Sequence, residues 1–168
     1  IAYEDNFLNT KKAKAELKAF TKNCAGPNQG IYDVITHSAF QYEHKGAFAL
    51  YVRWNAGRTK IVELRSLDPK GVRAAEPNAK GEVTHYIIRR SFGYGANSVQ
   101  HNEPRKIKAF SKFDKTAKEA VLYVTNPYSG NPYYGVPNYI SAFHYIASDF
   151  SFGKHIKNSA ENGFTPKV

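Results

Sequence analysis

The sequence contains one cysteine, one tryptophan and no methionine. A lone Cys24 excludes an intramolecular disulfide and any metal site built on cysteine pairs, and a reducing cytoplasm is the compartment that fits such usage. Cys24 closes a helical stretch with no histidine beside it in sequence, so it reads as a small buried hydrophobe rather than a nucleophile. No apolar run approaches the roughly 18 residues of a membrane span, and no signal-peptide pattern opens the chain. Acidic residues are few, with 14 Asp and Glu against 24 Lys and Arg, a formal charge of +10. They are also scattered: Asp114 lies among lysines and Asp149 in mid-helix, and no pair is spaced as a glycosidase or metal nuclease requires. A chain that opens on Ile1 and holds no methionine is expected to be a fragment of a longer protein, unless its methionines were replaced.

What is present suits a folded domain. Hydrophobic residues make up 42% of the 168 positions, and the aromatic set is almost wholly 11 Phe and 12 Tyr. Tyrosine of this abundance fits surfaces that are dry at one end and wet at the other. The length allows one domain with an extended element.

The periodicity divides the chain into three. Ala13, Leu17, Phe20 and Cys24 recur at helical spacing after a capping Thr10, with Lys14, Lys18 and Lys22 striped beside them, and Gly26-Pro27-Asn28 ends the helix. A second helix runs from Ile31 to about Glu43 and is expected to bury Ile31, Val34, Ile35, Ala39 and Tyr42. From Ala47 to Trp54 the period changes to two, a strand pattern. Turns at Asn55–Gly57, Asp68–Gly71 and Pro77–Gly81 separate strands near 60–67, 72–75 and 83–90. The loop 91–98 precedes two more near 105–110 and 120–125. An antiparallel meander of about six short strands follows from this order. Residues 126–137 crowd proline, glycine and tyrosine into a loop, and Pro137 opens a helix of about 24 residues, roughly 36 Å long. Ile140, Phe143, Ala147 and Phe150 are expected to dock its first half on the sheet. Beyond Phe150 the apolar residues thin out, Gly153 weakens the helix, and the second half is expected to meet solvent or a partner. Asn162-Gly163 stops the helix and Pro166 prevents its resumption. The fold class expected is α+β.

No catalytic set assembles. His37, His44, His85, His101, His144 and His155 share no metal-ligand spacing. Phe92-Gly93-Tyr94-Gly95 lacks the following helix that a phosphate cradle needs. The chain is therefore read as no enzyme and as holding no cofactor. Two basic sets remain: Arg105, Lys106, Lys108, Lys112, Lys115 and Lys118, and Arg53, Arg58, Lys60, Arg65, Lys70 and Arg73. On one face they would form a phosphate footprint; the alternative is a solvated surface, or one turned toward an acidic neighbour.

The stretch Lys45 to Arg53, then Val62-Glu63-Leu64-Arg65-Ser66-Leu67-Asp68-Pro69 with Val72-Arg73 after it, and then Val83 to Ile88, resembles successive strands of tailed-bacteriophage portal proteins. The fuller match is Asn126-Pro127-Tyr128, then Tyr133-Tyr134-Gly135-Val136-Pro137, then a long helix closing on Asn162-Gly163-Phe164-Thr165-Pro166. That family shows a Tyr-Gly-x-Pro turn, a helix with aromatics and an Asn-Gly-x-x-Pro exit. The resemblance covers Tyr42 to Val168 and departs at Val121–Val124, where the family often carries a histidine, and at Phe164, where it often carries alanine.

The resemblance implies a central wing and stem fragment: a helical lead-in over 1–45, a β wing over 46–125, the Tyr/Pro/Gly loop over 126–137, a stem-like helix over 138–162 and the start of the clip over 163–168. It implies a structural ring subunit, usually one of twelve. Such a ring sits at one vertex of the virion, is assembled in the host cytoplasm, conducts double-stranded DNA, and meets terminase, capsid and tail proteins, with no membrane partner. Tyr133, Tyr134, Gly135, Pro137, Asn162, Gly163 and Pro166 would be its structural motif, and Lys154, His155 and Lys157 its candidate contacts to DNA or to a neighbouring subunit. A chain without clip and remaining stem is expected to be monomeric or weakly associated. A nucleic-acid-binding domain of another kind, using a basic sheet face, is the alternative.

Overall fold

The structure is a computed structural model and describes residues 10–89, 92, 103–127, 130–131 and 133–163, with the side chains of 10–12 left aside. Helix α1 spans Thr10–Asn23 and α2 spans Ile31–Lys45. Strands β1 (Ala47–Trp54), β2 (Ile61–Leu67), β3 (Val72–Ala74), β4 (His85–Ile88), β5 (Arg105–Lys108) and β6 (Glu119–Thr125) follow, and α3 spans Phe143–Glu161. The α+β class is as expected.

The expected antiparallel meander of six short strands is present, divided into two three-stranded sheets ordered β2-β1-β6 and β3-β4-β5. The alternation in β1 explains why. Ala47, Ala49 and Tyr51 point to one side and are buried. Two alanines let a second sheet approach closely, and Tyr51 fills the space beyond them. Across that gap Ala49, Tyr51 and Val121 meet Val72 and Ile107, with Leu67, Tyr86, Ile88 and Tyr123 closing the edges. The sheets are tied at one end, where Phe110 N–H donates to Val121 O at 2.8 Å. At the rim, Tyr51 OH donates to Glu119 Oε2 at 2.6 Å while Arg105 Nη2 donates to both oxygens of the same carboxylate.

The other face of β1, Phe48, Leu50 and Val52, looks toward α2. That helix does not dock on its most apolar side. Val34, Ser38 and Gln41 are its buried residues, because Ser66 of β2 offers a polar seat: Ser66 Oγ donates to Gln41 Oε1 at 3.2 Å and Ser38 Oγ lies 3.4 Å from Ser66 Oγ. Ile35, expected in the core, is 58% exposed. Helix α1 likewise exposes Leu17, and of its expected face only Cys24, just past its end, is fully buried. There Cys24 O accepts from Leu64 N–H at 2.8 Å, and burial pushes the thiol pKa up.

Candidate assembly surface

The chain leaves the sandwich through a junction built on backbone contact. Helix α2 ends at Gly46 in the left-handed region, φ 71°, with its N–H donating to Tyr42 O. Gly46 O then accepts from Asn126 N–H at 2.7 Å, and Asn126 Nδ2 donates to Val136 O at 2.8 Å. Gly135 lies directly against this crossing: a methyl group built on it would overlap Gly46 O, and one on Gly46 would overlap Val136. The φ of Gly135 lies outside the left-handed region, and the glycine is required because two main chains touch.

The tyrosines tie the loop down. Tyr134 OH accepts from Ala74 N–H at 3.2 Å, and the Arg73 guanidinium lies 5.6 Å from its ring centre. The amides of Tyr133 and Tyr134 both donate to Asn131 Oδ1. Tyr139 OH donates to His44 O at 3.2 Å, and Asn138 Nδ2 reaches Glu43 at 3.4 Å. Behind Tyr134, Tyr86 stacks on Tyr123 at 5.3 Å, and burial pushes the Tyr123 phenol up to about 12. Pro137 was placed within the first helical turn. It stands one residue earlier with an extended ψ of 143°, and it caps a 3-10 turn over Asn138–Ala142 that leads into α3. The continuous helix expected over 138–162 is thus a 3-10 turn followed by 19 α-helical residues.

The arm itself is the largest departure from expectation. Its first half does not dock on the sheet: α3 buries no residue, and among the described residues its substantial packing is with the turn that introduces it. At 3.6 residues per turn, Phe143, Ile146, Ala147 and Phe150 fall on one face, and Tyr145, Phe152 and Ile156 on the opposite one. Each of those six large side chains is at least 50% exposed. The expected contrast between an interior first half and an exposed second half is absent.

Lys154 and Lys157 continue the line of Phe143 and Phe150 at four- and three-residue spacing, and Lys157 Nζ is 3.8 Å from Glu161. His155 lies off that line. The serine hydroxyls are occupied within the helix, Ser148 donating to His144 O and Ser151 to Ala147 O. Asn162 caps the helix and Gly163 takes φ 63°, the geometry that ends it. Pro166, residues 164–168 and the glycines of the loop 91–98 lie outside the described residues.

The basic sets are divided. Arg53 and Arg65 face Glu63, Lys60 faces Glu16, Arg105 faces Glu119 and Lys108 faces Asp114. Hydrogen bonds from Thr116, then from Lys108, hold the Asp114 pKa well below the usual carboxylate range. Arg58 stacks on Trp54 at 4.4 Å. The register puts Arg73, His85, Lys106 and Lys108 on the outer face of the second sheet. Among the described residues no group of His, Cys, Asp or Glu could hold a metal ion, and no helix is long and apolar enough to cross a membrane.

Sequence reasoning missed the role of Gly46, although a glycine between a helical period and a strand alternation is the signal of a helix stop. It also missed the cleft left between α2 and the first sheet, since no pattern announces which side of an apolar helix a polar seat will select. No protein-family model matches the sequence, and no curated protein matches it.

Proposed function

We propose that this chain is part of a structural subunit of a phage portal ring, the wing and the beginning of the stem, and that its work is assembly around DNA rather than catalysis. The observation that carries the reading is α3, apolar on two opposite faces and covered on neither by the described residues of its own chain. A helix apolar all round is ordinarily buried, and a symmetric dimer would cover only one of its faces. A closed ring of head-to-tail contacts gives every subunit a neighbour on each side. The order of the Tyr-Gly-x-Pro turn, the aromatic helix and the Asn-Gly stop supports the portal assignment. In that assignment the partners are copies of the subunit, double-stranded DNA, terminase, capsid and tail proteins, and the site is a vertex of the virion. Electron microscopy of the complete protein tests it: a ring with a central channel is expected, and a monomer or twofold dimer would overturn the reading.

A second reading has one observation in its favour. The outer face of the second sheet gathers Arg73, His85, Lys106 and Lys108, and this supports a nucleic-acid-binding domain of another kind. Lys108 is already paired with Asp114, which weakens it. Binding of short duplex by this chain, lost as salt rises and weakened by Arg73→Ala with Lys106→Ala, would favour it over the ring.

A further inference from the structure

The incomplete seating of α2 leaves an open apolar groove of about 420 Å³. Phe48 and Leu50 of β1 and Leu64 of β2 form its floor, and Ile31, Ile35 and Ala39 of α2 form its wall. Its polar side chains are Ser38, whose hydroxyl already donates to Val34 O at 2.7 Å, and Tyr42. The rest of the lining is hydrocarbon, so the groove selects for apolar side chains.

We propose that this groove receives α3 of a second copy of the chain, with Phe143, Ile146 and Phe150 as the inserted side chains. Their spacing, i, i+3 and i+7, is that of a helix laid into an apolar groove. Within one copy the two surfaces do not meet. No residue of α3 lines the groove; the root of the helix is tied to the last turn of α2 by Tyr139 to His44 and Asn138 to Glu43. Because the stripe and the groove are different patches, the contact is head-to-tail, and it repeats until it closes. Tyr145, Phe152 and Ile156 stay free for the other neighbour. The inference rests on the ring reading and assigns its subunit contact. One helix face in one groove falls short of the roughly 1,200 Å² of a stable interface, so association of this chain alone is weak and concentration-dependent.

The test uses three proteins. Sedimentation of the wild-type chain from micromolar to millimolar concentration should show a mass that rises with concentration. Phe150→Asp, with an intact groove, and Ile35→Asp, with an intact stripe, should each remain at 18.9 kDa across that range. Both positions are exposed, so both variants should fold, and circular dichroism checks this. Mixed in equal amounts, the two should double in mass to a heterodimer and go no further, because one good stripe meets one good groove. A monomeric wild type overturns the assignment, and so does Ile35→Asp associating like wild type or a mixture that stays monomeric. A complete protein that carries Ile35→Asp and still closes into a ring would defeat the groove assignment and leave the ring reading standing. A wild-type complete protein that forms no ring would defeat the ring reading, whatever the mixture does.

Discussion

The two-sheet sandwich and the α3 arm spend comparable apolar content in opposite ways. In the sandwich, small and large residues alternate so that Ala49, Val72 and Val121 are completely buried. In the arm, Phe150 is 76% exposed and Tyr145 80% exposed. The sandwich closes on itself because its alternation presents one inner face to another inner face of the same chain. The arm presents two opposite faces, and the described residues of its own chain bury neither. Apolar residues thus mark where burial is needed, and the geometry of the faces tells whether the chain itself supplies it. The groove under α2 belongs with the arm: it is an apolar surface inside a folded domain that the described residues leave unfilled.

Substitutions in the two regions should differ by an order of magnitude in stability, and that is the sharpest way to break the comparison. Ile107→Ala removes a side chain only 2% exposed at the centre of the inter-sheet core, and should cost about 2–5 kcal/mol in denaturant unfolding. A loss under 1 kcal/mol would mean that the sandwich is not the stabilising unit. Gly135→Ala acts at the boundary between the regions. Its methyl group would meet the Gly46 carbonyl, main chain that cannot turn aside, so a loss of about 1–3 kcal/mol is expected, typical of overpacking. Gly153→Ala, in open space on the arm, should instead be neutral or stabilise by up to about 1 kcal/mol. If both glycine substitutions behave alike, the junction is looser than the contact implies.

The elements of both regions are legible in the sequence, and the part that is not has a physical cause. The strand alternation of Ala47–Trp54, the turn at Asp68-Pro69 and the stop at Asn162-Gly163 are local signals, and each element lies where its signal puts it. The division of six strands into two sheets depends on which strands pair at long range, and sequence order alone favours a meander. The face that α2 buries was misread because apolar count points to Ile31 and Ile35, whereas hydrogen bonding between Ser38, Gln41 and Ser66 decides it. The arm was misread for a related reason: Ile140, Phe143, Ala147 and Phe150 form a stripe identical in pattern to a core face, and periodicity does not say whose core.

A smaller effect comes from the ion pair where α2 meets the β2–β3 turn. Lys45 Nζ is 2.7 Å from Asp68 Oδ1, and Asp68 also accepts from the Lys70 amide. Burial alone would raise the Asp68 pKa, but the Lys45 side chain and the Lys70 amide outweigh it and lower the value. A carboxylate whose folded pKa is depressed stabilises the fold above its unfolded value, and that contribution disappears as pH falls through the folded value. Asp68 is more than half exposed, so solvent screening limits the loss to about 1 kcal/mol or less. Thermal unfolding followed from neutral pH into the acid range should fall more steeply for wild type than for Asp68→Asn. Parallel curves would show that the link contributes nothing that titrates.

The smallest expected change in stability carries the largest consequence for assembly. Lys154→Glu with Lys157→Glu reverses two charges on the line that Phe143 and Phe150 begin. Both side chains are exposed, and the one ion pair they make, Lys157 with Glu161 at 3.8 Å, is an i,i+4 surface pair worth about 0.3–0.5 kcal/mol. Replacing that attraction by repulsion, with no buried group disturbed, should leave unfolding within about 0.5 kcal/mol of wild type. If the ring proposed above is right, the same line would face a neighbouring subunit or the DNA path, where two negative charges would replace two positive ones at close quarters. Loss of ring assembly or of DNA packaging, with the fold unchanged, is the expected result. Normal assembly and packaging by that double variant would remove the charged half of the arm from the contact and leave only Phe143, Ile146 and Phe150 to make it.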